Sequence, residues 1–201
     1  YATIDSAMWG TTVGAVSAAG GAANSPFSSV EHNRWDGSSW SEGTDLPASR
    51  GTIRATGTQD AGLLFGGTTN TSQIGMEYNH PAFSYTPGAS GDGAPGCAIG
   101  VGGTQNAGFV GLHPQSPSTT RKFQSYNGTN FSEEADSSTS WGSTYNNSKN
   151  GAMEGTENSA ITWGGASAPY TTTVEEYDGT SWSAAQDKPV GHGGIDHGLG
   201  T

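Results

Sequence analysis

The chain has 201 residues, of which 33 are glycine and 9 are proline, and only 31% are hydrophobic. Its formal net charge of −11, with seven lysines and arginines in total, excludes the basic surface that nucleic acid or an anionic membrane requires. No apolar run approaches the roughly 18 residues of a membrane-spanning helix, and the lone Cys97 cannot form an intrachain disulfide. We therefore expect no nucleic-acid partner and no membrane insertion.

The same pattern of residues recurs four times along the chain. The copies begin at Gly-Thr dipeptides near residues 10, 57, 103 and 155, which are 46–52 residues apart. Gly-Thr-Gln-Asp-Ala-Gly at 57–62 matches Gly-Thr-Gln-Asn-Ala-Gly at 103–108. A second element follows, such as Trp-Asp-Gly-Ser-Ser-Trp at 35–40 and Tyr-Asp-Gly-Thr-Ser-Trp at 177–182. A period of this length predicts a repeat architecture.

Each unit is predicted to contain four short strands. In the second unit the first strand is Thr52–Thr56, rich in β-branched residues, and the second is the apolar run Leu63–Phe65, which Gly66 and Gly67 end. The third strand precedes an aromatic, as in Thr173–Tyr177, and the fourth begins at the Trp or Phe beyond the next turn. Because no segment has a helical period, we expect an all-β chain.

Three of the turns between the third and fourth strands carry an Asx-Gly pair: Asp36-Gly37, Asn127-Gly128 and Asp178-Gly179. Such pairs favour type I′ turns, in which both central residues have positive φ, and they predict antiparallel hairpins with their tips on one rim. The aromatic beyond each turn is expected to be buried against a neighbouring unit, because few other large apolar residues exist. These aromatics are Trp40, Phe131 and Trp182.

Four-stranded units of this length match the blades of a β-propeller, in which twisted antiparallel sheets pack face to face around an axis. We predict a single propeller domain over residues 1–201, with about four blades. Thr3-Ile4-Asp5 and Gly194-Ile195-Asp196 both align with a first strand. The blades therefore either close as one ring with a spare strand or belong to a larger ring. An open β-solenoid is the alternative architecture.

At these positions the sequence resembles the kelch repeat, an apolar run ending in Gly-Gly, followed by Tyr-Asp and then a Trp. Leu64-Phe65-Gly66-Gly67 and Tyr177-Asp178-Gly179 with Trp182 carry the resemblance, which covers nearly the whole chain. The third unit departs from it with Gly111-Leu112 in place of the double glycine. The residue sequence of the repeats is also similar to that of kelch-like repeat proteins predicted in marine bacteriophages. This second resemblance implies a virion or extracellular location.

No catalytic or metal-binding motif is more convincing than a structural explanation of the same residues. The hairpin-tip oxygens suit the turns themselves, and no loop supplies the roughly six to eight oxygens that calcium requires. His192, Asp196 and His197 form a small cluster in the sequence. His192 and Asp196 would share one face of a strand, but His197 would point to the opposite face, so no third metal ligand is indicated. Glu133-Glu134 and Glu175-Glu176 are adjacent on strands, so each pair points to opposite faces and is expected to be solvated. We predict no cofactor, no metal site and no enzymatic activity.

The two rims predicted for this meander differ in variability. Connections between strands one and two and between strands three and four share one rim and repeat almost unchanged, whereas the opposite rim varies in length and content. Functional residues concentrate on variable loops of a rigid scaffold. We therefore predict ligand contacts at the aromatic and amphipathic residues of the variable rim, namely His113, Trp141, Tyr145 and Tyr170.

The sequence favours a non-enzymatic interaction module that binds a protein or a cell-surface glycan. The bacteriophage resemblance implies an adhesin or decoration protein that also contacts other virion proteins. Two alternatives stay open, a propeller-fold enzyme acting on carbohydrate and a purely structural spacer. Acids, or Tyr and His copper ligands, converging on the axis would favour the enzyme.

Overall fold

The structure, a computed structural model, describes the strands and tight turns of all four units. The described residues are 3–4, 7–19, 21–22, 29–51, 53–66, 75–85, 98–112, 122–137, 152–164 and 171–191. Every regular element in these ranges is a β-strand. They contain no helix with the length and apolarity needed to cross a membrane.

The strands form four antiparallel sheets of four strands each and one short ladder. The ladder pairs β1 (Thr3–Ile4) with β4 (Gly21–Ala22). The first sheet contains β2 (Ala7–Thr11), β3 (Gly14–Ala18), β5 (His32–Trp35) and β6 (Trp40–Glu42). The second contains β7 (Ile53–Thr58), β8 (Ala61–Gly66), β9 (Met76–Asn79) and β10 (Ala82–Tyr85). The third contains β11 (Ala98–Thr104), β12 (Ala107–Leu112), β13 (Lys122–Tyr126) and β14 (Phe131–Glu133). The fourth contains β15 (Ala152–Thr156), β16 (Ser159–Trp163), β17 (Val174–Tyr177) and β18 (Trp182–Ala184).

This order confirms the predicted all-β fold and the four-stranded meander of each unit, since strands that follow one another in a unit also pair in its sheet. At the N-terminus, Ala7–Thr11 forms the first strand of the first sheet, whereas Thr3–Ile4 pairs in the short ladder instead. Residues 192–201, which align with another first strand, lie outside the described residues.

The first strands of the four sheets lie side by side, with β2 packed on β7, β7 on β11 and β11 on β15. Glycine permits this approach, because a Cβ on Gly100 would lie 2.3 Å from the carbonyl oxygen of Met153 and one on Gly102 would lie 2.8 Å from that of Gly155. Among the described residues, no comparable contact joins β15 back to β2. The four sheets therefore form an open, propeller-like arc.

Buried apolar side chains fill the gaps between consecutive sheets. The cluster between the first two sheets includes Trp9, Val16, Ile53, Leu64, Met76 and Tyr78. The next two clusters contain Leu63, Phe65, Val101, Val110 and Tyr126, and then Phe109, Phe123, Met153, Tyr177 and Trp182. Aromatic rings supply much of this core, which explains how so few aliphatic residues suffice.

The Asx-Gly hairpin tips lie on one rim, as predicted. A Cβ on Gly37 would approach the carbonyl oxygen of Val13, in the turn between β2 and β3, to 3.3 Å. Gly179 has the same relation to Asn158, and Gly128 lies against Asn106. Each tip therefore packs on the first turn of its own unit.

The predicted type I′ geometry of these tips is wrong. Trp35 pairs with Trp40, so the loop contains four residues, and Gly37 has a φ of 95° whereas Asp36 has no positive φ. The carboxylate of Asp36 accepts the backbone N–H groups of Ser38 and Ser39, both at 2.8 Å. Such Asx capping closes a turn without a positive φ at the Asx residue. The side chains of Asn127 and Asp178 accept hydrogen bonds from the equivalent two N–H groups, two and three residues further on, in their own tips.

Candidate binding surface

Each sheet has a back face, toward the preceding sheet, and a front face, toward the next one. In the fourth sheet, Tyr177 and Trp182 lie on the back face and pack with the third sheet. Glu176 and Ser183 are paired across neighbouring strands on the front face. The two faces alternate because successive strand residues point to opposite sides of a sheet.

In the second, third and fourth sheets, a tyrosine on the third strand of the back face hydrogen-bonds to the preceding sheet or to the loop that follows that sheet. The pairs are Tyr78 with Arg34 at 2.8 Å, Tyr126 with Glu77 at 2.5 Å, and Tyr177 with Glu134 at 3.5 Å. Burial, followed by the hydrogen bond and charge of Glu77, raises the pKa of Tyr126. Its hydroxyl therefore stays protonated and donates to the carboxylate.

Two further hydrogen bonds recur between consecutive sheets. The amide of Gln59 donates to the backbone carbonyl of Trp35 at 2.6 Å, and that of Gln105 donates to the carbonyl of Tyr78 at 2.9 Å. In the interface between two consecutive sheets, which we call a seam, side-chain donors on the first strand of one sheet also bond to backbone carbonyls of the next sheet. These bonds join Trp9 to Thr58 at 3.1 Å and Thr56 to Gly103 at 2.8 Å. Each seam thus combines apolar packing with specific polar contacts.

The back face of the first sheet has no sheet packed on it within the described residues. We call this surface the open face and define it by Met8, Ser17, Asn33, Trp40 and Glu42. Together with Ala19 and Glu31, these residues line an open depression of about 500 Å³. Met8 is 59% exposed and Trp40 is 48% exposed. A large aromatic and a thioether therefore face solvent beside carboxylates and an amide.

The prediction that all three fourth-strand aromatics are buried is correct for Trp182, which is 8% exposed and donates its ring N–H to the carbonyl of Ala135 at 2.9 Å. Phe131 is half-buried against Phe65 of the preceding sheet. For Trp40 the prediction is wrong. Trp40 packs at a tilt against Trp35 of its own sheet, but no preceding sheet covers it in the described part of the chain.

The open face is more polar than the corresponding back face of the second sheet. Ser17 and Asn33 occupy the places that Leu64 and Met76 fill there, and those two apolar side chains are buried. The described residues that line the depression include two glutamates and no lysine or arginine. The surface therefore suits a ligand with hydroxyl groups and an apolar patch better than an anionic one.

A charged cluster joins the first two sheets at the turn rim. Arg34 forms an ion pair with Asp60 at 2.8 Å, and its other terminal nitrogen lies 2.9 Å from Nδ1 of His80. Since a guanidinium only donates, this imidazole nitrogen accepts the bond and carries no proton. Burial lowers the pKa of Arg34, but the hydrogen bonds to Asp60 and Tyr78 outweigh it and raise the pKa overall.

This cluster was not predicted from the sequence. The signal that could have revealed it is the second hairpin tip, where Asn79-His80-Pro81 replaces the Asx-Gly pair of the other units. The bonds of Arg34 hold the first and second sheets together. The cluster is therefore a structural clasp in this arrangement.

The acids that sequence analysis weighed for chemistry are largely engaged or separated. The N–H of Ser39, then the hydroxyl and N–H of Ser38, lower the pKa of Asp36 to about 2. Glu175 and Glu176 point to opposite faces as expected, but Glu175 is buried, so the prediction that both are solvated is wrong. Among the described residues, no group of three His, Cys, Asp or Glu side chains could hold a metal ion.

Several predicted functional residues lie outside the described part of the chain. They are the ligand residues His113, Trp141, Tyr145 and Tyr170, the cluster His192, Asp196 and His197, and also Gly67 and Cys97. Gly66 is described, ends the second strand as predicted and has a φ of 96°. Ala19 and Glu31 of the depression flank a segment predicted to form a variable-rim loop. The open face thus reaches the rim on which ligand contacts were expected.

Comparison with known proteins supports the fold. No protein-family model matches the chain, and a search of curated proteins gives no significant match. Among solved structures, that of a protein named YjhT is similar, with a TM-score of 0.66 at 10% identity, over 96% of this chain and 68% of that one. Similarity at this identity shows a shared propeller-like all-β fold alone. The kelch and bacteriophage resemblances stay predictions.

Proposed function

We propose that the chain is a non-enzymatic binding module that holds a neutral glycan on the open face of its first sheet. The observation that carries the proposal is the exposure of Trp40 beside Asn33 and Glu42 in an open depression. In the three other sheets the same face packs on a preceding sheet or its loop, so only here is it accessible in the described structure.

The chemistry of the open face fits a sugar ring. An indole ring offers a flat apolar surface for the C–H face of a sugar, and its position beside polar groups allows stacking and hydrogen bonding together. The carboxylates of Glu31 and Glu42 can accept hydrogen bonds from sugar hydroxyls, and the amide of Asn33 can both donate and accept them. Sulfated or carboxylated glycans fit poorly, since the lining residues that the structure describes include no cation and the chain carries a net charge of −11.

A protein ligand is the second candidate. The positions of the open face are those that the other sheets bury against protein, and Trp is a frequent anchor residue of protein interfaces. A protein partner would have to cover Met8 and Trp40 together.

The absence of enzymatic activity belongs to the proposal and has its own support. The carboxylates of Asp36 and Asp178 accept hydrogen bonds from N–H groups of their own turns, and Glu134 accepts them from the hydroxyls of Ser125 and Tyr177. Acids engaged in this way serve structure. The resemblance of the repeat sequence to bacteriophage proteins supports a role as a virion adhesin or decoration protein in contact with other virion proteins. A glycan-binding module would suit that role.

The proposal is tested with the purified chain on an array of neutral glycans and on bacterial cells. Trp40→Ala should reduce binding about tenfold or more, as expected for an anchor aromatic. The matched control is Val190→Ala, which truncates another residue that is 59% exposed. Binding by Trp40→Ala equal to that of the control would overturn the proposed site.

The same cells distinguish the two ligand classes. Periodate treatment of the cells, which cleaves sugar diols, should abolish binding, whereas protease treatment should leave it. Loss with protease alone would replace the glycan by a protein ligand. For the variable rim, the sequence predicts that Trp141→Ala with Tyr145→Ala weakens binding and that Asp36→Asn with Asp178→Asn does not.

A further inference from the structure

We propose that the front face of the fourth sheet docks a fifth sheet of the same repeat, and that the first sheet cannot take this place. The front face is defined by Glu154, Ile161, Glu176 and Ser183, which contribute to an open depression of about 530 Å³. It is the face on which each earlier sheet receives its successor. The inference concerns a surface separate from the open face and does not rest on the proposed function.

The front face carries a hydrogen-bond acceptor, Glu176, whose counterpart in the second sheet already has a partner. Glu176 pairs across its sheet with Ile161 and Ser183, and Glu77 of the second sheet pairs in the same way with Leu63 and Ser84. Glu77 accepts the hydroxyl of Tyr126 from the third sheet. Since Glu176 is exposed in the equivalent place, it is positioned to accept a tyrosine hydroxyl from a following sheet.

The first sheet has no such hydroxyl. Its third-strand aromatic is Trp35, and the indole N–H of Trp35 donates to the carbonyl of Thr12 at 3.1 Å, within its own sheet. The glutamine that reaches back to a preceding carbonyl in the second and third units is also missing, because Thr12 takes its place. Neither Glu176 nor the carbonyl of Tyr177 would gain its repeat partner from the first sheet.

Charge opposes the same pairing. Joining the first and fourth sheets would bring Glu42 of the open face toward Glu176. Like charges in a shared interface are repulsive. The occupant is therefore a repeat sheet with a third-strand Tyr and a Gln in its first turn.

The wild-type chain tests the negative half of the proposal. Sedimentation velocity over a range of concentrations should show a monomer, because the fourth sheet of one copy does not accept the first sheet of another. A head-to-tail dimer that Glu176→Ala abolishes would overturn the proposal.

A five-unit protein tests the positive half. Gly200-Thr201 repeats the Gly57-Thr58 dipeptide, so residues 59–85 joined after Thr201 add a second-unit copy in register. The matched control carries Gln59→Ala and Tyr78→Phe in the added copy only. Thermolysin should cleave the added copy about tenfold more slowly in the first protein than in the control, the difference expected from losing a hydrogen bond to a charged group.

The role of Glu176 completes the test. Glu176→Ala in the five-unit protein should raise the cleavage rate to that of the control. Equal cleavage of the added copy in the five-unit protein and its control, whether fast or slow, would overturn the proposal.

Discussion

Trp40 and Trp182 begin the fourth strand of the first and fourth sheets and pair with the third-strand aromatic of the same sheet, yet 48% of the first and 8% of the second is exposed. Both belong to a back face. Trp182 rests on the third sheet and hydrogen-bonds to Ala135, whereas Trp40 meets no preceding sheet in the described residues. The repeat thus determines the direction of the side chain, and the neighbouring sheet determines its burial.

The front-face glutamates Glu77 and Glu176 also occupy equivalent positions but have different surroundings. Glu77 holds the hydroxyl of Tyr126 in a seam, whereas Glu176 is exposed at the end of the arc. The same chemical group therefore stabilises the fold at one place and is available to a partner at another. Each such pair provides a matched experiment within a single chain.

The largest expected effect is the loss of stability on truncating Trp182. Trp182→Ala should lower the free energy of unfolding by about 3–5 kcal/mol, because it empties a core site and removes the bond to Ala135. Trp40→Ala should lower it by less than about 1 kcal/mol, since half of its surface already faces water. Urea unfolding of the two variants measures both values. Equal losses would show that the two aromatics are covered alike.

The glutamate pair should show a smaller difference. Glu77→Ala leaves the buried hydroxyl of Tyr126 without its acceptor and should cost about 1–3 kcal/mol. Glu176→Ala should change the stability of the isolated chain by less than about 0.5 kcal/mol, as is usual for an exposed side chain. The same unfolding experiment compares them, and a large loss for Glu176→Ala would mean that its face is already occupied.

His32, on the covered face of the first sheet, should make the stability of the fold depend on pH. It is fully buried against Tyr78 and Phe83, and its Nδ1 donates to the carbonyl of Thr44 at 3.1 Å. Burial, partly offset by the bond to Thr44, lowers the pKa of His32. The unfolded chain therefore binds this proton more readily, and stability should fall as the pH drops below about 6.5.

The variant His32→Gln isolates this contribution. Its unfolding midpoint should depend less on pH between about 8 and 5 than that of the wild type, because the proton uptake of His32 is removed. Identical pH profiles for the two proteins would show that His32 is not held in its neutral form by the fold.

The smallest effect is expected at the hairpin tips. Asp36→Asn and Asp178→Asn should leave the unfolding midpoint at pH 7 unchanged, because Asn127 forms the same turn with an amide oxygen. The lowered pKa of Asp36, about 2, means that its stabilising contribution is complete above about pH 4 and is lost as the pH falls toward 2. Asp36→Asn should remove that part of the acid sensitivity, as monitored by circular dichroism. An unchanged acid profile would contradict the role of the carboxylate.

The sequence predicts local structure well where a residue acts within its own unit. The period, the apolar runs and the Asx-Gly pairs were sufficient for the four sheets and for the placement of the tips on one rim, because neighbouring strands of a meander pair with one another. The turn type was missed because the side-chain oxygen of Asp36 closes the loop without a positive φ.

Contacts between units were harder to predict. The exposure of Trp40 depends on which sheet precedes it, and the Arg34 cluster joins residues from two strands and two turns. Neither is encoded in the repeat pattern, since both arise where units differ from one another. The candidate surface was therefore found from the structure, while the sequence placed ligand contacts only on the rim that it borders.

Binding at the open face is tested most directly by calorimetric titration of Trp40→Ala with the neutral oligosaccharide that gives the strongest array signal. We predict that the affinity of this variant falls about tenfold or more relative to both the wild type and Val190→Ala, while the unfolding midpoint stays nearly unchanged. An affinity equal to that of the wild type would contradict the assignment of the open face as the binding surface.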